Sequence, residues 1–117
     1  MSSTKSGKAK GRRLQNWTAD QIRKLTGFTK PDEIRPALMG EGGEDIKLSD
    51  AVRFEFPFQV ECKNAEAISV WAAYKQAGEH GPHEPLLIIK KNNHKPLAVM
   101  DAEMFIAFVG DKHDFGK

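Results

Sequence analysis

Apolar and polar residues along this chain repeat in two different periods, and the switches between them mark the elements. Phe58-Gln59-Val60-Glu61-Cys62-Lys63 alternates strictly, so a strand here puts Phe58, Val60 and Cys62 on one face and Gln59, Glu61 and Lys63 on the other. Leu86 to Ile89 is apolar on both faces, the pattern of an internal strand covered by helices. Pro96 to Met100 returns as its hairpin partner through the basic turn Lys90 to Lys95. Glu44 to Leu48 reads as a short strand with Asp45 and Lys47 on one side. Ile34 to Met39 reads as another, confined to a sheet edge by Pro36.

Helical periods separate these strands. Thr18-Ala19-Asp20-Gln21 matches a capping box for a helix running through Leu25 and stopping at Gly27, with Leu14 and Trp17 either extending it backwards or packing as a staple ahead of the cap. Ser49 is an N-cap for a turn over Asp50 to Arg53. Asn64 caps a helix from Ala65 to Ala77 that ends at Gly78, with Ile68, Ala72 and Gln76 along its stripe and Trp71 and Tyr74 widening it. Asp101 caps a last helix carrying Met104, Phe105 and Phe108 and ending at Gly110. Helices interleaved with short strands predict an α/β (α+β) domain.

At 117 residues, with 39% hydrophobic and 29% charged positions, the chain fits one globular domain with a modest core. Its single cysteine, Cys62, excludes an internal disulfide and a cysteine-based zinc cluster. The absence of a long apolar run or an apolar leader predicts a cytoplasmic protein without a membrane partner, in the host cytoplasm if phage-encoded. The net charge of +2 conceals an uneven distribution. Residues 1–13 hold five basic and no acidic residues, leaving −3 on the remainder. Residues 1–11 therefore read as a disordered basic arm ahead of a single domain at 12–117, suited to touching a polyanion or simply to solubilising the chain.

Glu61 and Lys63 stand side by side on one strand face. A carboxylate can ligate a divalent ion, and a cation beside it can position water or steady phosphate charge. By itself the pair is more commonly a solvated face. Asp45, on a strand, can be held rigidly beside Glu61, whereas Asp50 in a first helical turn complements the helix dipole. His80 and His83 lie in a loop without a third ligand and read as surface residues.

The ordered set of Gly43-Glu44-Asp45-Ile46, Phe56-Pro57-Phe58, Val60-Glu61-Cys62-Lys63-Asn64, a helix with Trp71 and Gln76, and Leu86 to Lys91 resembles the PD-(D/E)XK nuclease superfamily. It looks most like small phage-encoded relatives of Holliday-junction resolvases, over residues 12–109. The resemblance implies a restriction-endonuclease-like core in the order αβββαββα, with a central mixed sheet of four or five strands flanked by helices. It implies that Asp45, Glu61 and the Cys62 carbonyl ligate magnesium, or manganese in its place, that Lys63 orients the attacking water, and that Gln76 stands near Lys63. The first-helix acid of many members is missing, with Gln15 the nearest polar substitute. The 16-residue separation of Asp45 and Glu61 exceeds a tight hairpin, and non-adjacent strands would make Glu44 or Asp50 the better ligand.

The resemblance thus implies a magnesium-dependent endodeoxyribonuclease acting on branched DNA as a homodimer in phage DNA recombination. Lys10, Arg12, Arg13, Lys90, Lys91 and Lys95 are its candidate DNA contacts. Trp71 and the last helix are candidates for the dimer surface, with burial in the core as their competing assignment. A non-catalytic DNA-binding accessory protein of the same fold, or a nuclease on linear or nicked DNA, are the alternatives.

Overall fold

Leu14, Thr18, Ala19 and Ile22 recur at helical spacing and are all buried, which defines the inner stripe of a long first helix, α1 (Thr4–Thr26). The structure, a computed structural model, describes residues 4–113, with side chains from Ser6 to Asp111. Of the two expected starts the structure takes the earlier one, with Leu14 and Trp17 inside the helix, and Thr18 does not cap it. Thr18 sits in mid-helix and its hydroxyl donates to the Leu14 carbonyl at 2.8 Å, a bond that mimics a cap signature in sequence. Residues 4–11 of the expected arm form the first turns of α1, and residues 1–3 lie outside the described residues. The C-terminal end is as expected: Gly27 takes φ 81° and its N–H donates to the Arg23 carbonyl.

Two short strands come next, β1 (Ile34–Pro36) and β2 (Ile46–Leu48), paired antiparallel with Pro36 opposite Ile46. Ser49 then caps α2 (Asp50–Glu55), its hydroxyl accepting from the Val52 N–H at 3.2 Å. Arg53 donates to Glu44 and to the Phe58 carbonyl, which folds the chain back so that β3 (Phe58–Asn64) runs beside the start of β2. Ile34, Ile46, Val52 and Val60 are fully buried beneath α1.

The chain crosses from β3 through α3 (Val70–Gly78) to β4 (Glu84–Lys90), which pairs parallel to β3 over seven residues. β5 (Leu97–Val99) returns antiparallel on the outer edge, and α4 (Ala102–His113) closes the chain with Asp101 accepting from the Met104 N–H. The expected sheet of four or five strands is divided in two: β3-β4-β5, and the β1-β2 ribbon. The division has a local cause. β2 turns away to pair with β1, and the ribbon's backbone meets β3 at the residue before β2, where the Asp45 N–H donates to the Val60 carbonyl at 2.8 Å. The order is αββαβαββα, an α+β arrangement with α2 added to the expected series. No helix among the described residues is long and apolar enough to cross a membrane.

Further expectations are corrected by packing. Asn64 ends β3 instead of capping a helix, and α3 begins at Val70 after Ser69. The buried stripe of α3 is Ala73 and Ala77, which let the helix lie close on β3 and β4, so Ala72 and Gln76 point to solvent. Trp71 is 87% exposed, and Phe105 and Ile106 on α4 are more than half exposed, so none belongs to the core. α4 continues past Gly110 and is held through Phe108, whose ring lies 5.1 Å from that of Phe58.

Because α1 covers one face of β3 and α3 the other, the face expected to be solvated is buried as well: Gln59 is 0% and Glu61 4% exposed. Gln59 is satisfied at both ends of its amide, donating to the Ala77 carbonyl at 2.9 Å and accepting from the His83 N–H at 2.9 Å. Gln59→Leu keeps the volume and strands both partners, so it is expected to cost about 1–3 kcal/mol, read by urea denaturation.

Candidate active site

Asp45 precedes β2, at the place where the ribbon touches the three-stranded sheet. Its backbone N–H bonds Val60, and its side-chain Oδ2 accepts from the Cys62 N–H at 2.7 Å. These two bonds straddle Glu61. Asp45 therefore meets β3 despite the 16-residue separation in sequence, and α2 takes up part of the intervening chain. Glu44 is committed elsewhere, paired with Lys47 at 2.9 Å and Arg53 at 3.0 Å, while Asp50 is exposed on α2. Of these three acids, Asp45 is the one beside Glu61.

Glu61 has a partner on each oxygen. Oε2 lies 3.3 Å from the Lys63 ammonium, and Oε1 lies 2.8 Å from His80 Nε2. Lys63 is partly exposed, at the mouth of the site. The surface position expected for His80 is corrected: the ring is half-buried against Glu61. The signal that finds it is topological. A helix joining two parallel strands must deliver the chain back to the start of the sheet, so the loop after α3 descends beside the polar face of β3. His83, three residues on, is exposed as expected.

The electrostatics follow from burial. Desolvation is the largest influence on Asp45 and the neighbouring Glu61 charge adds to it; the Cys62 N–H opposes them, and the carboxyl ends up raised from 3.8 to about 6. Burial also pushes the Cys62 thiol up to about 12, so it stays protonated and serves packing, with its Sγ 3.7 Å from the Thr18 hydroxyl. The Cys62 N–H faces Asp45, and in a strand the carbonyl of the same residue leaves on the same edge.

Two carboxylates and a carbonyl edge are oxygen donors suited to magnesium, which takes one or two carboxylates and fills its other positions with water and substrate oxygens, and the Lys63 ammonium stands beside them. Among the described residues no three His, Cys, Asp or Glu side chains form a ligand set, so any such ion would depend on those outside oxygens. Gln15 lines the cleft into which Asp45 opens, together with Arg12 and Lys8 from the same helix. Gln76 is exposed on α3. The remaining basic residues converge: Lys10 and Arg13 of α1 line one cleft with Lys90, and Lys91 and Lys95 line the adjoining groove.

No protein-family model matches this chain, and neither does any curated protein or solved structure. Function must therefore be argued from the residues and their geometry.

The Asp45 carboxyl gives a test that needs no substrate. Its folded value lies above its ordinary one, so between about pH 4 and 6 the folded protein holds this proton more readily than the unfolded chain. Its ionisation thus costs stability as pH rises through that window. Asp45→Asn keeps the acceptor for Cys62 and removes the charge. In EDTA at neutral pH it is expected to exceed the wild type by about 1–3 kcal/mol, a gain that fades below about pH 4 in denaturant titrations.

Proposed function

We propose that this chain is a magnesium-dependent endodeoxyribonuclease that hydrolyses phosphodiester bonds in branched DNA, acting in the cytoplasm as a homodimer. The observation that carries the reading is the paired hydrogen bonding that sets Asp45 against Val60 and Cys62, bringing a half-buried carboxylate beside Lys63 and the buried Glu61. Ionising Asp45 here is unfavourable without a cation, and a site that strains its own carboxylates is a reasonable place to bind one. A magnesium ion held by Asp45, Glu61 and the Cys62 carbonyl would supply Lewis-acid polarisation of the scissile phosphate.

The chain's own groups have separate tasks in this reading. Lys63 orients the attacking water and steadies charge on the phosphate. His80 holds the Glu61 carboxylate in its rotamer from the opposite side, leaving the Lys63 side open to substrate. Arg12 and Lys8 engage the backbone of the strand to be cut, and Lys10, Arg13, Lys90, Lys91 and Lys95 take phosphates farther away. The homodimer is supported by the exposure of Trp71, Phe105, Ile106 and Leu97, large apolar groups that one copy leaves in water.

A second reading, a non-catalytic DNA-binding protein, is favoured by the fact that both Glu61 oxygens already have protein partners. Cleavage separates the two. With magnesium, the wild type is expected to nick a labelled four-way junction symmetrically, leaving 5′ phosphates, and to spare the matched linear duplex. Glu61→Ala and Lys63→Ala should each lower the rate by at least about 100-fold. Binding without cutting would establish the accessory protein, and cutting that survives both substitutions would remove this site from the chemistry.

A further inference from the structure

Trp17 has no role in the site described above: it extends α1 backwards, one of its two expected places, and does not serve as a staple. A staple requires a cap beside it, and Thr18 is a mid-helix residue. The indole is 43% exposed over the buried Leu14, in a cleft of about 300 Å³. Lys10, Arg13 and Trp17 bring one side of α1 to that cleft, and Asn64, Lys90 and Asn92 meet them from the ends of β3 and β4. Asn64 fixes the two walls together, its side-chain amide donating to the Lys10 carbonyl at 3.1 Å.

The cleft is positive. Lys10, Arg13 and Lys90 form no salt bridge among the described residues. The Lys90 ammonium donates to the Lys91 and His94 carbonyls, which holds it at the turn without neutralising it. Glu66, whose carboxylate accepts from the Asn92 N–H, lines the adjoining groove instead. A half-exposed indole framed by three uncompensated cations suits a ligand with a flat π-face between anionic groups.

We infer that this cleft binds one unstacked nucleotide of single-stranded DNA, with the base on Trp17 and the flanking phosphates on Lys10, Arg13 and Lys90. A base inside a duplex has both faces covered by its neighbours, so stacking on an aromatic side chain selects an unpaired one. The volume stands at the lower end of clefts that accept small organic groups, roughly 300–1,000 Å³, and admits a base but no duplex. The inference rests on the proposed function for its choice of DNA, and extends it by naming an unpaired segment as part of the substrate.

The test is binding in EDTA, where no cleavage is required. Trp71→Phe leaves Trp17 as the single tryptophan. Its emission should be quenched to saturation by short oligo-dT and should change little with a duplex of the same length. Trp17→Ala should weaken oligo-dT binding about 5- to 100-fold and duplex binding less than about two-fold, with Trp17→Phe close to the wild type. Oligo-dT that binds without altering Trp17 emission, or equal losses on both substrates, would overturn the site. Tighter binding of oligo-rU than of oligo-dT would overturn the assignment to DNA. Should the nuclease reading alone fail, the Trp17 response persists while the junction stays uncut.

Discussion

Two hydrogen bonds from one residue hold the two halves of this molecule in register. Asp45 ties the β1-β2 ribbon to β3 through its backbone N–H and again through its carboxylate, one bond on each side of Glu61. Among the described residues the ribbon and the three-stranded sheet share no strand ladder, so their register depends on this residue. A half-buried carboxylate accepting a backbone N–H is a strong, directional link. The same link fixes where Asp45 stands relative to Glu61, so the element that completes the fold also assembles the site.

That economy has a cost. Helices cover both faces of β3, so Glu61 is carried into the interior with Asp45 beside it, and two like charges in a poorly solvated place repel. Lys63 offsets part of this from one side of Glu61, and His80 hydrogen-bonds its other oxygen. Asp45 has a backbone donor and no such cation in contact, and the strain collects there. On the proposed reading, stability and site chemistry pull in opposite directions at this one carboxyl group. Glu44, with Lys47 and Arg53 on its two oxygens, shows what a structural acid looks like in the same fold.

Much of this is legible in the sequence because local patterns and tertiary packing agree. The alternation over Phe58–Lys63, the continuous apolar run at Leu86–Ile89, the Ser49 and Asp101 caps and the Gly27 stop all describe interactions made within a few residues. Sequence reasoning fails where a distant element decides the outcome. Thr18 reads as a cap until its neighbours Leu14 and Ile22 are seen to face one core, and Gln76 reads as a stripe residue until Ala73 and Ala77 are found to be the close-packing positions. The polar face of β3 reads as solvated because nothing near Gln59 reveals that α3 ends over it. His80 is missed for the same reason: its partner Glu61 is 19 residues away and reachable only through the crossover.

α1 gives the basic residues an order that their spacing in sequence conceals. Lys8 and Arg12 face the cleft of Asp45, and Lys10 and Arg13 face the cleft of Trp17, so one helix is a ridge with cations on both flanks. A helix with its side chains is about 10–12 Å across, so cations on its two flanks can meet phosphates of two different strands. A straight duplex laid along either flank satisfies half of these charges and leaves the rest facing solvent. A substrate that divides can place one strand on each side of the ridge and engage both sets, gaining the counterion release of each. On the proposed reading, substrate choice then needs no contact that reads sequence: cations set on two sides of a helix favour DNA that places a strand along each flank.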